Sequence, residues 1–213
     1  MKIALLGARG QLGTDLHRTL QSHEVIPLTS DDVNVTDHLK MRNVLLGLRP
    51  EVVLNTTAFL RVDDCENEPE RAYAVNAVAV LNLVRAANEL SALFVHFSTD
   101  YVFDGQASQP YTENSQPFPL GVYANSKFAG ELLVRAYAEK YLLIRSCGLY
   151  GKAGSSGKGG NFVETMRAKA IRGEPIRVVN DQILTPTYTV DLAGQVAEVL
   201  ASGHSGLFHM TND

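Results

Sequence analysis

The chain has 213 residues, a formal net charge of −4 at pH 7, 45% hydrophobic residues and 20% charged residues. That length and apolar content suffice for one sizeable core with a small appendage, and the acidic balance disfavours nucleic-acid and anionic-membrane partners, which select a basic patch. Two cysteines in unrelated contexts, Cys65 and Cys147, fit free thiols of a reducing compartment rather than a disulfide framework.

Lys2 to Leu6 is a short apolar run ending at Gly7 and reads as a buried strand. It is too short for a secretory signal, and no later segment approaches the ~20 apolar residues of a membrane span, so the cytoplasm is the expected location. Gln11 to Gln21 follows with Leu12, Leu16 and Leu20 at helical spacing. Glu24 to Leu28 is a second strand, Thr36 to Leu48 a helix with Thr36 as its expected N-cap, and Glu51 to Asn55 a third strand. A long helical stretch spans about Glu68 to Leu90, then a strand runs from Ala92 to Ser98, a helix from Val122 to Lys140 and a strand from Tyr141 to Ser146. Beyond the glycine-rich GKAGSSGKGG segment, the pattern predicts a helix over Asn161 to Arg172, a strand over Ile176 to Val179, a helix over Thr189 to Ala201 and a last strand over Leu207 to Met210.

Strands alternating with helices imply an α/β fold of Rossmann type: a doubly wound, mostly parallel sheet with helices on both faces and ligands at the carboxyl ends of the strands. The expected division is a dinucleotide-binding domain over 1–150 and a partial, incomplete small C-terminal substrate-binding region over 151–213, with segments returning to the main sheet.

Three glycines, Gly7, Gly10 and Gly13, lie between the first strand and the first helix. A glycine at the turn permits unusual backbone angles, the next lets a pyrophosphate approach, and the third lets helix and strand pack closely. Free N–H groups and the helix dipole favour phosphate there. After the second strand, Asp31 and Asp32 are turn residues that could take ribose hydroxyls and repel a 2′-phosphate. Arg9, inside the glycine loop, could instead pair with that phosphate. NADH and NADPH both remain open on this reading.

Tyr123 and Lys127 form a YxxxK pair on one helix face. A phenol exchanges protons slowly at neutral pH, and a nearby cation favours its phenolate, which suits it to pass a proton to a ketone oxygen during hydride transfer. Thr99 directly follows the fourth strand, where its hydroxyl can reach the same oxygen. Asp100 and Asp104 read as loop-organising residues. Arg145, ending a strand, has two open partners: ligand phosphates or a buried carboxylate. The six histidines (His17, His23, His38, His96, His204 and His209) show no metal-ligand spacing, so no metal is expected; His96 reads as a core residue.

The segments GARGQLG, VVLNTTAF, RVDDCENEPE…AVNA, STDYVFDG, YANSK, GSSGKGGNFVETM and NDQILTPTYTVDLA occur in order along the chain. Together they resemble the dTDP-4-dehydrorhamnose reductases, which are extended short-chain dehydrogenase/reductases. The resemblance implies reduction of the 4-keto group of a nucleotide-linked deoxysugar by NADPH or NADH, with Thr99, Tyr123 and Lys127 as the active-site triad. It implies cofactor contacts at Gly7, Arg9, Gly10, Gln11, Leu12 and Gly13, at Asn34 and Val35 near the adenine, and at Thr57, Ala58 and Phe59 on the nicotinamide side. It implies substrate contacts at Thr99, Asp100, Tyr123, Gly159, Gly160, Asn161, Phe162, Gln182 and Thr185. Other members run longer, so the expected deficit is in closure over the sugar nucleotide, with cofactor binding retained. The expected partner is a nucleotide sugar, and a homodimer is an open assembly. The family also resembles the non-catalytic regulatory subunit of methionine adenosyltransferase, which is the alternative function. A dehydratase is disfavoured because Thr99 is followed by Asp100 and Tyr101 rather than an acid pair, and an epimerase has no specific support.

Overall fold

The computed structural model describes residues 1–153 and 162–212. In chain order the first half contains β1 (Lys2–Leu6), α1 (Gln11–Thr19), β2 (Glu24–Leu28), α2 (His38–Leu48), β3 (Val52–Asn55), α3 (Val62–Asn67), α4 (Pro69–Tyr73), a π-helical turn (Ala74–Val78) and α5 (Ala79–Glu89). The second half contains β4 (Leu93–Thr99), a 3₁₀ turn (Asp100–Val102), α6 (Gly121–Tyr137), β5 (Tyr141–Ser146), β6 (Leu149–Tyr150), α7 (Phe162–Ile171), β7 (Thr187–Tyr188), α8 (Thr189–Ser202) and β8 (Gly206–His209).

Among the described residues, six strands form one sheet in the order β2-β1-β3-β4-β5-β8, and every pairing in it is parallel. The chain leaves β1 toward β2 on one side and returns to β3 on the other, so the strand order reverses at β1. A crevice opens there at the strands' carboxyl ends. Pro27 sits in β2, which is the sheet's edge, where a missing N–H is tolerated. β6 and β7 make a separate parallel pair.

The sheet carries apolar side chains on both faces, as buried parallel strands require. On one face Ile3, Leu5, Leu54, Val95 and Ile144 pack against Leu12 and Leu16 of α1 and Leu192, Val196 and Leu200 of α8. On the other, Ala4, Leu6, Val53 and Phe94 meet Met41 and Leu45 of α2, Val80, Leu83 and Val84 of α5, and Val134 of α6. The doubly wound α/β architecture expected from the alternation is therefore present.

Three local expectations need correction. Thr36 does not cap α2: its hydroxyl and amide are both taken by Asn34 Oδ1, the helix begins one residue later, and Asp37 caps it by accepting from the Lys40 amide at 3.1 Å. Ile176 to Val179 is not a strand: Ile176, Val178 and Val179 are exposed and lie in an irregular strap, since β-branched residues make a strand only where another strand supplies hydrogen bonds. The helix predicted to Lys140 ends at Tyr137.

Arg145, left with two partners by the sequence, takes the buried carboxylate. Its guanidinium is 3% exposed and makes a two-toothed pair with the fully buried Glu131 of α6, the shortest contact 2.6 Å. Glu131→Ala should therefore cost about 3–5 kcal/mol, because it strands a buried cation; urea unfolding measures it.

His96 is a fully buried core residue of β4, as predicted. Asn55 Nδ2 donates to its Nδ1 at 3.2 Å. Burial first, and Lys127 second, hold its pKa well below the ordinary 6.5. The folded protein thus keeps it neutral, whereas the unfolded chain binds a proton below about pH 6.5. Stability should be complete above that pH and fall by about 1.4 kcal/mol per pH unit below it. Denaturant titrations from pH 8 to 5 test this, and a flat profile would contradict it.

Candidate active site

Gly7 leaves β1 with φ +80°, and a Cβ there would lie 2.4 Å from Thr56 Oγ1. Only glycine suits that conformation and that approach. Thr56 fills the space, donating to the Leu6 carbonyl at 2.8 Å, which ties the ends of β1 and β3 together at the strand-order reversal. Gly13 sits against the loop so closely that a Cβ would meet the Gly7 carbonyl at 2.2 Å. Gly10 caps α1 with extended backbone and no side-chain hydrogen bond, and the first turn holds no acid. The N–H groups of Gln11, Leu12 and Gly13, which lack intrahelical acceptors, are left for an anion at the positive end of the helix. This glycine cradle fits a dinucleotide pyrophosphate.

At the far end of the cradle, the exposed Arg9 side chain pairs with Asp31. Asp32 is an internal turn residue: the Thr29 hydroxyl and amide donate to it at 2.7 and 2.8 Å and hold its carboxyl below the usual range. Asn34 organises the turn before α2, and Val35 is buried in the core beneath it.

The loop after β3 is fixed by two asparagines. Asn55 Oδ1 accepts from the Thr57 hydroxyl at 2.6 Å and amide at 3.1 Å. Asn76, fully buried in the π-helical turn, accepts from the Phe59 amide at 2.8 Å and donates to the Phe59 carbonyl and to Ser126 Oγ, both at 3.0 Å. Asn76 thus ties Phe59 to Ser126 of α6, next to Lys127, while Asn55 holds Thr57. π-Helical turns often mark functional sites. Residue reading missed Asn76 as a determinant, although a lone asparagine within the apolar AVNAVAV stretch was its signal. It also missed α3, whose Glu66 accepts from the Val122 amide at 2.6 Å and so caps α6 from 56 residues away.

Thr99 ends β4 and Tyr123 and Lys127 lie on the first two turns of α6. The structure brings all three together. Burial raises the pKa of the Tyr123 phenol, the neighbouring Thr99 hydroxyl opposes this, and Asp100 adds to the rise. Tyr101 packs edge-on against the Tyr123 ring at 5.7 Å. The Lys127 ammonium is buried and donates to the Phe97 carbonyl of β4 at 2.6 Å. Burial lowers its pKa to about 8, with Glu131 opposing. The group therefore pairs a protonated phenol with a buried cation two strands along the rim from the glycine cradle.

Asp100 accepts from the Thr99 hydroxyl at 3.1 Å and from the Cys147 thiol at 2.9 Å. Asp104 organises its own loop, accepting from the Gln106 amide and the Tyr111 hydroxyl. The strap around Thr185 packs on the end of β5: a Cβ on Gly148 would lie 3.0 Å from Leu184 and 3.4 Å from Pro186. Gln182 is exposed on that strap, and Phe162 is largely exposed at the head of α7. Gly159, Gly160 and Asn161 lie outside the described residues.

The family model for the RmlD substrate binding domain matches residues 1–213. The spore coat polysaccharide biosynthesis protein SpsK of Bacillus subtilis (strain 168) is 40% identical over 213 residues, covering 99% of this chain and 73% of that protein. A dTDP-4-dehydrorhamnose reductase from Clostridium acetobutylicum superposes with TM-score 0.94 at 39% identity, over all of this chain and 75% of that one. A dTDP-4-dehydrorhamnose reductase from Bacillus anthracis, solved in complex with NADP, gives TM-score 0.94 at 34% identity with the same coverage. With its full length, residues 1–213, matched by the family model, this chain belongs to the RmlD substrate binding domain family.

Proposed function

We propose that this chain is an NAD(P)H-dependent oxidoreductase that reduces the 4-keto group of a nucleotide-linked deoxysugar, of the dTDP-4-dehydrorhamnose type. The observation that carries this reading is the convergence of Tyr123, Thr99 and Lys127 beside a glycine cradle shaped for a pyrophosphate. The relatives named as dTDP-4-dehydrorhamnose reductases, one of them holding NADP, support the substrate and cofactor class. Nothing specific favours the non-catalytic regulatory alternative.

Gly7, Gly10, Gln11, Leu12 and Gly13 would hold the pyrophosphate, Arg9, Asn34 and Val35 the adenosine end, and Thr57, Ala58 and Phe59 the nicotinamide side. A reduced nicotinamide, when bound, supplies the hydride. Tyr123 donates its phenolic proton to the oxygen that was the ketone, and its raised pKa keeps that proton in place until then. Lys127 balances the phenolate left behind and orients the nicotinamide ribose. Thr99 aligns the carbonyl through its hydroxyl. By the family resemblance, Asp100, Phe162 and Gln182 would serve the substrate side, as would Asn161, which lies outside the described residues. We assign the cofactor-binding unit to 1–150, joined by α8 and β8, and the substrate side to the rest of 151–213. Two free buried thiols fit a cytoplasmic setting.

Tyr123→Phe should lower kcat by about a thousandfold or more while leaving the dinucleotide Kd within about twofold. Fluorescence titration with NADH and NADPH, with and without dTDP, combined with steady-state turnover, reads both; full activity in the variant would end the assignment.

The Arg9–Asp31 pair decides between the two dinucleotides. Asp31→Ala frees Arg9 for a 2′-phosphate and should shift the ratio of NADPH to NADH affinity upward by about tenfold, whereas Arg9→Ala should shift it downward. Unchanged ratios in both variants would remove these residues from cofactor choice.

A further inference from the structure

The acid–base pair has a neighbour that the proposed reaction does not use. Cys147 is the first residue beyond β5. Because Thr99 and Ser146 are register partners across β4 and β5, Cys147 stands beside Asp100, the residue after Thr99. Its side chain is buried, and its Sγ donates to Asp100 Oδ2 at 2.9 Å. The other carboxylate oxygen, Oδ1, accepts from the Thr99 hydroxyl at 3.1 Å. One carboxylate thus receives a thiol on one oxygen and the catalytic hydroxyl on the other.

Thr99 has a single proton and two lone pairs. The proton points at Asp100, and one lone pair accepts from the Tyr101 amide at 3.2 Å. In this arrangement Thr99 has no proton to give to a substrate oxygen. To align a ketone it must release Asp100 and swing its O–H toward the substrate. An ionised carboxylate is a strong acceptor and holds a hydroxyl firmly. A second donor on the same carboxylate disperses its charge and loosens that hold.

We propose that Cys147 is a positioning residue for the reductase: by donating to Asp100 it weakens the Asp100–Thr99 hydrogen bond and lets the Thr99 hydroxyl turn to the substrate carbonyl. This rests on the reductase reading. The thiol serves as a neutral donor throughout. Burial, and then Asp100, push its pKa up to about 12, so it stays protonated across the working pH range. The same dispersal limits the degree to which Asp100 raises the Tyr123 pKa.

The test compares Cys147→Ala with Cys147→Ser in the full chain. Both are smaller than cysteine, so a packing effect strikes both alike, whereas only serine restores a donor. Cys147→Ala should lower kcat roughly fivefold with the cofactor Kd unchanged. Cys147→Ser should return kcat toward wild type. Equal losses in the two variants, or a loss that appears in KM rather than kcat, would overturn the proposal. A second readout needs no turnover: in Asp100→Asn, alkylation of Cys147 at pH 9, followed by peptide mass spectrometry, should speed up by about tenfold as the thiol pKa drops. An unchanged rate would deny the thiol–carboxylate contact. A wild-type chain that alkylates as expected but never turns over a 4-keto sugar nucleotide would instead overturn the reductase reading, and the catalytic role of Cys147 with it.

Discussion

Because all six strands of the main sheet run parallel, the ends of β1, β3, β4 and β5 fall on one rim, and the candidate site groups issue from it. Gly7 follows β1, Thr56 to Phe59 follow β3, Thr99 closes β4 and Cys147 follows β5. Parallel pairing also forces each connection to cross a face of the sheet, which supplies the helices that carry Tyr123 and Lys127 back to the same rim. A reversal of any one of these strands would send its terminal residue to the opposite edge.

The rim is held by buried polar groups rather than by apolar packing alone. Asn55 fixes the loop after β3 and meets His96; Asn76 fixes the same loop and reaches Ser126; Glu131 holds Arg145; Lys127 is tied to the Phe97 carbonyl. Each contact spans at least two elements, and each buried polar atom left unpaired would cost free energy. These bonds therefore specify the relative placement of β4, α6 and the π-helical turn. Lys127 gains from this: its cation is held in the buried interior, tied to β4, where charge acts more strongly than in water.

Much of this was legible beforehand. Leu12, Leu16 and Leu20 at helical spacing marked α1, and the short apolar runs marked β1, β3, β4 and β5 to within a residue or two. The glycine loop, Thr99 and the YxxxK pair stood out by residue type and spacing, and the structure puts them on one rim of the sheet. What misled was local signal without tertiary context. Thr36 looked like a cap, but Asn34 had already taken its hydroxyl. Ile176 to Val179 had β-branched residues but no strand beside it. α3 is short and polar, and its worth lies in Glu66 capping a distant helix.

The sequence by itself determined the alternation of strands and helices, the glycine turn and the face shared by Tyr123 and Lys127, because each of these depends on residues within a few positions of one another. Only the tertiary structure decided that Arg145 pairs with Glu131, that Arg9 meets Asp31, that Asn76 clamps Phe59, and that Asp100 stands between Thr99 and Cys147. Those contacts join residues on different strands and helices. Their partners are chosen by strand order and by the cost of burying charge or polar groups unpaired, neither of which a local pattern contains.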